Sequence, residues 1–155
     1  MPNRRPRLDA TDLALIGALQ ANARVKLEEL GRIVNLVPSS VHERLRRLDR
    51  EGVIQSWTIN VSPAAFGLEI LALVGVNTSK PCSEMIDDLL RLPEIEECHS
   101  VAGELSLVLK VRVPTTSDLL AFVEGLRQVP GVVSTVTTVT LKTHFERGTR
   151  PIDPG

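Results

Sequence analysis

Cysteine is scarce in this chain of 155 residues, which contains two cysteines and no tyrosine. Cys82 and Cys98 lie outside any CxxC or Cys/His array with the spacing of metal ligands, so both are expected to be reduced structural residues. The three histidines, His42, His99 and His144, fall in separate predicted elements. The sequence therefore predicts no metal site, no cofactor and no catalytic residues.

Long apolar runs are absent as well. No run approaches the roughly 18 residues that a transmembrane helix needs. The basic N-terminus is not followed by the apolar segment of a signal peptide. We therefore expect a cytoplasmic protein without a membrane partner.

The chain also lacks a strong net charge, since its formal charge at neutral pH is −1. This charge is unevenly distributed. Residues 1–60 carry ten Lys or Arg and seven Asp or Glu, a net charge of +3, whereas the remainder carries eight basic and twelve acidic residues, a net charge of −4. Such asymmetry indicates a basic binding module joined to an acidic module with a different purpose.

The segment at residues 36–52 predicts a short, arginine-rich helix. Val41, Leu45 and Leu48 recur at the spacing of one helical face, so this face is expected to pack inward. The side chains that we assign to DNA binding lie on the opposite side. The outward face collects Ser39, Glu43, Arg46, Arg47 and Arg50, and one flank carries Ser40 and Arg44. Arg, Ser and Glu on such a helix suit the phosphates and base edges of the major groove. Because a solvated surface helix would also carry charge, the assignment depends on the segments that precede it.

Two helices are predicted before this one. Asp9 offers an N-cap to a first helix at about Ala10–Gln20. The run KLEELGRIV predicts a second helix, and Asn35 follows it where a tight turn requires a left-handed residue. Helix, short turn and basic helix form the helix-turn-helix layout. The following run, VIQSWTIN, has strand character and predicts a wing or a strand that leaves this module.

The second half of the chain begins after SPAAFG, which we interpret as a hinge. From residue 68 onward, strand and helix patterns follow the order βαββαβ, which predicts an α+β fold with a ferredoxin-like split unit. The six segments are LEILALVGVNT (strand), SEMIDDLLRL (helix), IEECHSVAG and LSLVLKVRV (strands), SDLLAFVEGLRQV (helix) and VVSTVTTVTLKT (strand).

Four motifs carry a resemblance to a known family: LDATDLALIGALQANARVKLEEL, SSVHERLRRLDREGVIQSW, the SPAAFG hinge, and VAGELSLVLKV followed by LRQVPGV. Over nearly its whole length the chain resembles the Lrp/AsnC, or feast/famine, family of bacterial transcriptional regulators. The resemblance implies an N-terminal winged helix-turn-helix and a C-terminal RAM/ACT-like domain that senses ligands and oligomerises. The expected organisation is a DNA-binding domain at residues 1–60, a hinge at 61–67, a ligand-sensing and oligomerisation domain at 68–145 and a loose tail at 146–155.

Some positions depart from the family's pattern. Lys26 and Val37 stand where the family has Ser or Thr N-caps, and neither side chain can accept the free backbone N–H groups, a loss of about 0.5 to 2 kcal/mol at each site. The hairpin GELSL replaces a Gly-Asp-Tyr-Asp-Tyr pattern, so it keeps one acid and loses the aromatic groups. In relatives this loop and the final strand line the effector site between dimers. The residues that the resemblance assigns to effector binding are Gly103, Glu104, Ser106 and Thr137.

The leading interpretation is a sequence-specific DNA-binding transcriptional regulator. A homo-oligomer, from a dimer up to an octamer, would place two recognition helices on a pseudo-palindromic operator in double-stranded DNA. An amino acid or a related small effector would bias the assembly. A second interpretation is an enzyme similar to sirohaem decarboxylases, for which His99 and His144 are the candidate residues in the second half. A third is a stand-alone amino-acid-sensing module, which would not require the basic helix.

Overall fold

The computed structural model describes residues 6–149 and divides them into two compact units. One unit contains residues 6–60 together with 147–149, and the other contains residues 61–146. Each unit has a hydrophobic core of its own. Within the described part of the chain, no helix is long and apolar enough to cross a membrane. Residues 150–155 of the predicted tail lie outside the described residues.

The helical part of the first unit consists of α1 (Ala10–Ala21), α2 (Leu27–Val34) and α3 (Pro38–Arg50). This order confirms the predicted helix-turn-helix. Leu15, Leu30 and Val41 are fully buried where the three helices meet, and Leu45 packs against them. Because α3 buries its apolar face, its opposite side lies at the surface.

Individual residues determine where these helices begin and end. The Asp9 carboxylate accepts the Asp12 N–H at 2.7 Å, and the Asp12 carboxylate accepts the Asp9 N–H at 3.1 Å, so the two form a capping box at the start of α1. Asn35 ends α2 in the left-handed conformation, with φ 53° and ψ 47°, as predicted. Gly31 is required by the close turn, because a Cβ there would lie 2.5 Å from the Leu36 carbonyl oxygen.

The segment that follows α3 does not form the predicted strand. Val53 and Ile54 donate their N–H groups to the Leu48 carbonyl, which closes the end of α3. No strand is assigned at residues 53–60, and no other described segment pairs with them. Strand propensity requires a neighbouring strand to supply hydrogen bonds. The predicted wing is therefore missing from the single chain.

This segment instead borders a groove of about 650 Å³ within the first unit. Ile16 and Leu19 of α1 line the groove, together with Trp57 and Thr149. The Gln20 side-chain amide donates a hydrogen bond to the Thr149 carbonyl at 2.5 Å. The end of the described chain, which was predicted to be loose, therefore contacts α1.

The second unit has the predicted order βαββαβ. Its elements are β1 (Ile70–Thr78), α4 (Ile86–Leu89), β2 (Ile95–Ser100), β3 (Leu107–Val113), α5 (Thr116–Leu126) and β4 (Val132–Val139). The strands form one antiparallel sheet in the order β2-β3-β1-β4. This arrangement confirms the α+β, ferredoxin-like fold. In the predicted hinge, a 3-10 turn at Pro63–Phe66 is followed by Gly67 with φ 69°.

Alternation along the strands places the core on one face of this sheet. The buried strand residues of the core are Ala72, Val74, Val76, Leu107, Leu109, Val111 and Val113. Leu89 of α4 and the preceding Met85 cover them on one side, and α5 covers them on the other with Leu119, Phe122, Val123 and Leu126. The opposite sheet face, which we call the outer face, is not covered by these helices.

Helix α4 is shorter than the predicted helix SEMIDDLLRL. Met85 and Leu89 are buried against the sheet, whereas Leu90 is exposed. Pro93 disfavours helical geometry at Leu92, so the helical pattern cannot continue to the end of the predicted segment. A 3-10 turn at Cys82–Glu84 replaces its first residues.

Candidate nucleic-acid interface and effector loop

The outward side of α3 presents four exposed polar side chains in one row. Ser39, Glu43, Arg46 and Arg50 repeat at intervals of four, three and four residues, opposite the buried Val41. Arg50 Nη2 lies 3.5 Å from Glu43 Oε1, and both side chains are mostly exposed. Among the described residues, no acid forms an ion pair with Arg46. We call these four residues the α3 stripe.

Arg44 and Arg47 turn away from the α3 stripe and toward α1. Arg44 Nη1 lies 2.7 Å from Asp9 Oδ2 and 2.9 Å from Asp12 Oδ1. Arg47 Nη2 lies 2.6 Å from Asp12 Oδ2, and its Nη1 lies 3.2 Å from Glu51 Oε2. The predicted position of Arg47 on the outward face is therefore corrected, because the packing of α3 directs this side chain to α1. We call Asp9, Asp12, Arg44 and Arg47 the α1–α3 clamp.

Asp12 is the buried member of the clamp, with an exposed fraction of 1%. Burial opposes ionisation of its carboxyl group, but hydrogen bonds from Arg47, the Asp9 N–H and Arg44 outweigh this effect and lower the pKa of Asp12. The hydrogen bond from Arg44, followed by that from the Asp12 N–H, lowers the pKa of Asp9. Both acids are therefore ionised at neutral pH, where they neutralise two of the four arginines of α3.

The α1–α3 clamp was not predicted from the sequence. The periodicity of α1 contains a signal for it, since Asp12 precedes Leu15 and Leu19 by three and seven residues and shares their inward side. A carboxylate on an inward side needs a cationic partner to offset its burial. Arg44 and Arg47 are the partners that the fold supplies.

The N-terminus of α3 is open to an anion. Val37 has the extended conformation of an N-cap but makes no side-chain capping bond, as predicted. Its exposed fraction is 61%, so it is not a core residue. Lys26 likewise leaves the start of α2 without a side-chain cap. Pro38 has no N–H, and the N–H groups of Ser40 and Val41 donate to the Val37 carbonyl, so the Ser39 N–H is the donor left in the first turn of α3. This donor and the positive end of the helix dipole favour a negatively charged group.

The hairpin between β2 and β3 brings three of the four predicted effector residues together. Gly103 has φ 146°, and open space surrounds the position that a Cβ would occupy. Glu104 is exposed beside it. Ser106 already has internal partners: its Oγ accepts the Thr78 N–H at 3.2 Å, and its N–H donates to the Val76 carbonyl at 3.0 Å.

Thr137 does not join this hairpin within one chain. It lies on β4 opposite Val74 of β1. Because β1 stands between β3 and β4, Thr137 and the hairpin are about two strand spacings apart, roughly 10 Å. One chain therefore presents the four predicted effector residues as two separate groups.

An ion cluster lies on the outer face of the sheet. Lys110 Nζ is 2.6 Å from Glu146 Oε1, 3.2 Å from Glu97 Oε1 and 3.4 Å from Glu96 Oε2. Arg112 binds two of these acids, with Nε 2.7 Å from Glu96 Oε1 and Nη2 3.3 Å from Glu146 Oε2. The hydrogen bond from Lys110 lowers the pKa of Glu146. Glu146 was predicted to lie in the loose tail, but these two cations bind it to the sheet.

Apolar side chains accompany the ion cluster on the outer face. Leu73, opposite Lys110 in the ladder, has an exposed fraction of 44%, and Val136, opposite Gly75, has one of 59%. Large exposed apolar side chains on one sheet face are typical of a surface that another protein surface covers. This property makes the outer face a candidate subunit interface.

Both units match models of known domains. The AsnC-type helix-turn-helix domain matches residues 8–49, and the Lrp/AsnC ligand binding domain matches residues 71–149. This chain belongs to the Lrp/AsnC family. The predicted function as a DNA-binding transcriptional regulator of the Lrp/AsnC type is thereby confirmed.

Three Lrp/AsnC proteins illustrate the extent of the similarity. The HTH-type transcriptional regulator FL11 of Pyrococcus horikoshii is 37% identical over 150 residues, which cover 96% of this chain and 99% of that protein. The leucine-responsive regulatory protein of Escherichia coli is 33% identical over 140 residues, which cover 87% of this chain and 85% of that protein. The structure of the M. tuberculosis feast or famine regulatory protein complexed with L-methionine has a TM-score of 0.86 and 34% identity, and the match covers 94% of this chain and 100% of that one.

The histidines considered for the enzymatic alternative lie at the surface of this Lrp/AsnC chain. His99 Nε2 is 3.0 Å from Glu97 Oε2, beside the ion cluster, and His144 is exposed beyond β4. In the part of the chain that the structure describes, no group of three or more His, Cys, Asp or Glu side chains could hold a metal ion. The relatives just described are named as regulators, and the properties of α3 fit that role.

Proposed function

We propose that this Lrp/AsnC regulator acts in the cytoplasm by placing the α3 stripe in the major groove of its operator. The observation that carries the proposal is the exposed row on a short helix whose opposite side is buried. Arg46 and Arg50 would bind phosphates or guanine edges, and Ser39 and Glu43 would reach other base edges. Ser40, which is exposed beside the row, would contact the DNA backbone. A phosphate at the uncapped N-terminus of α3 would fix the register of the helix.

The DNA contacts proposed here involve fewer residues than the sequence predicted. Arg44 and Arg47 are not included, because the carboxylates of Asp9 and Asp12 bind their guanidinium groups. Both side chains still have an exposed fraction of 31%. Their role is therefore assigned to the orientation of α3.

The proposed assembly is a homo-oligomer that begins with a dimer. Leu73 and Val136 expose apolar area on the outer face, and a second copy of the chain would cover it. A twofold dimer presents two recognition helices, which fit a pseudo-palindromic site whose half-sites are about one helical turn, or a multiple of it, apart.

The proposed effector is an amino acid or a related small molecule. Two observations support it: the similarity to a regulator whose structure was solved with L-methionine, and the open space around Gly103. Glu104 is an acid available to an ammonium group, and the Ser106 hydroxyl lies in the same hairpin. Because Thr137 is remote from this hairpin in one chain, a site that includes it needs a second subunit to supply it.

Selection from a random-sequence DNA pool, followed by footprinting of the selected site, tests this function. We expect one pseudo-palindromic sequence to be enriched by the full-length protein and lost with Arg46→Gln. The footprint should change when one member of a panel of amino acids is added, because the effector favours one of two assemblies. A pool without enrichment contradicts the DNA-binding proposal. A footprint that no amino acid alters contradicts the effector proposal alone.

A further inference from the structure

We infer that Asp12 is a specificity-determining residue for DNA binding: by holding Arg44 and Arg47 against α1, it keeps two of the four arginines of α3 away from DNA phosphates. Asp12 does this from a buried position, without contact with DNA. The inference rests on the proposed contact between the α3 stripe and the major groove.

The clamp differs from the Arg50–Glu43 ion pair of α3 in burial and in number of bonds. Each oxygen of the Asp12 carboxylate binds a different arginine, at 2.9 Å for Arg44 and 2.6 Å for Arg47. The Arg50–Glu43 pair, in contrast, is exposed and 3.5 Å long. Exposed pairs contribute little and yield easily to a competing phosphate, whereas a multiply bonded pair with a buried partner is much harder to replace. Arg50 is therefore available to DNA, and the two clamp arginines are not.

Restraining these two cations favours sequence discrimination. An arginine that meets phosphate strengthens binding to every DNA sequence, and each neutralised phosphate adds about 0.9 to the slope of log affinity against log salt concentration. With Arg44 and Arg47 restrained, a larger share of the remaining contacts is made by residues positioned to reach base edges. The same bonds fix the rotation of α3 about its axis, because the two arginines lie one helical turn apart on one side of the helix.

The test compares Asp12→Asn with the parent as full-length proteins. Asparagine has nearly the same shape and can still accept the Asp9 N–H, but a neutral amide cannot hold two guanidinium groups. Asp49→Asn is the matched control. It also removes one negative charge, but from α3 and outside the clamp. Asp49 is exposed and has no ion pair among the residues that the structure describes. Asp9→Asn is a milder second variant, because it retains an N-cap residue and loosens only Arg44.

Affinity is measured by fluorescence anisotropy from about 50 to 200 mM salt, the range in which phosphate contacts alter binding strongly. The two probes are a selected operator duplex and a duplex of equal length without the site. On the duplex without the site, we expect Asp12→Asn to steepen the slope of log affinity against log salt concentration by about one to two. The ratio of operator to non-operator affinity should fall. Asp9→Asn should also steepen the slope of log affinity against log salt measurably, by no more than about one, and Asp49→Asn should change it less than either.

Adding Arg44→Gln and Arg47→Gln to the Asp12→Asn protein should return the slope to the parental value. An Asp12→Asn protein that is folded by circular dichroism and has the parental slope and ratio overturns the inference, because Asp12 then serves stability alone. If Asp12→Asn does not fold, Asp9→Asn decides the question, and an unchanged slope again overturns the inference. A parent that does not prefer the operator duplex refutes the proposed function instead, so the two failures are distinguishable.

Discussion

Leu105 packs directly over Gly75 on the outer face of the sheet. A Cβ at residue 75 would lie 2.6 Å from Leu105 Cδ1 and 3.1 Å from its Cδ2, so the leucine occupies space that only a glycine on β1 leaves free. This contact fixes the hairpin that carries Gly103 and Glu104. The position of the proposed effector loop is therefore set in part by a residue on the neighbouring strand.

Gly75→Ala should destabilise the protein by about 1 kcal/mol, because Leu105 must leave its present position to accommodate the new methyl group. The same substitution in a Leu105→Ala background should cost less, since the conflicting atoms are gone. A double-mutant cycle of urea unfolding midpoints measures this coupling. We also expect Gly75→Ala to weaken the response to the effector without loss of operator binding. If the free-energy costs of Gly75→Ala and Leu105→Ala are additive, the two residues are not coupled, which contradicts the prediction.

Val37→Ser should stabilise the free protein by about 0.5 to 2 kcal/mol, because serine caps the first turn of α3 and the exposed Val37 side chain contributes little packing. Operator affinity should gain less or fall, since the hydroxyl competes with a phosphate for the Ser39 N–H. Lys26→Ser is the matched control at the other uncapped helix and should add stability without the competition at α3. Thermal melting and operator titration measure the two effects. Equal gains in stability and affinity for Val37→Ser would exclude a phosphate at this end of α3.

The ion cluster on the outer face predicts a specific acid sensitivity. The pKa of Glu146 is lowered from its ordinary value of 4.5, first by the hydrogen bond from Lys110. A lowered pKa means that this stabilisation is present above pH 4.5 and is lost as the pH falls through the folded-state pKa. Glu146→Gln should therefore unfold more easily than the parent at neutral pH, and the difference should shrink in acid. Urea midpoints measured across this pH range test the prediction, and a difference that is constant with pH contradicts it.

Val136→Lys should shift the assembly toward smaller species, because the substitution buries a charge if the outer face is a subunit interface. The control is Leu120→Lys on α5, an equally exposed apolar position outside the outer face. Multi-angle light scattering at micromolar concentration measures the mass of each variant. If the parent is already monomeric, or if the Val136→Lys protein has the parental mass, the outer face is not a subunit interface.

Local patterns were sufficient to predict much of this molecule. The spacing of Val41, Leu45 and Leu48 predicted the buried face of α3, and Asn35 predicted the turn before it. These signals are contained within a few neighbouring residues. The order βαββαβ was predictable for the same reason, since each element of the second unit carries its own periodicity or turn residues.

Features that depend on distant partners were not predictable in this way. Arg47 and Asp12 are 35 residues apart, and helical periodicity does not show which charged side chain turns toward another helix. The cations that bind Glu146 are likewise on a strand more than 30 residues away. Residues 53–60 have strand propensity, but propensity alone does not supply a pairing strand. Thr137 was grouped with the hairpin by resemblance, whereas β1 separates the two in one chain.

The salt dependence of operator binding by Arg46→Gln/Arg50→Gln tests the central claim, that the α3 stripe contacts DNA. The control, Arg91→Gln/Lys142→Gln, removes the same charge from exposed positions in the second unit. If both stripe arginines meet phosphate, the double variant should reduce the slope of log affinity against log salt by about two and leave the melting temperature unchanged. The control should have nearly the parental slope. A folded stripe variant with the parental slope and parental operator affinity would contradict the assignment of α3 as the recognition helix.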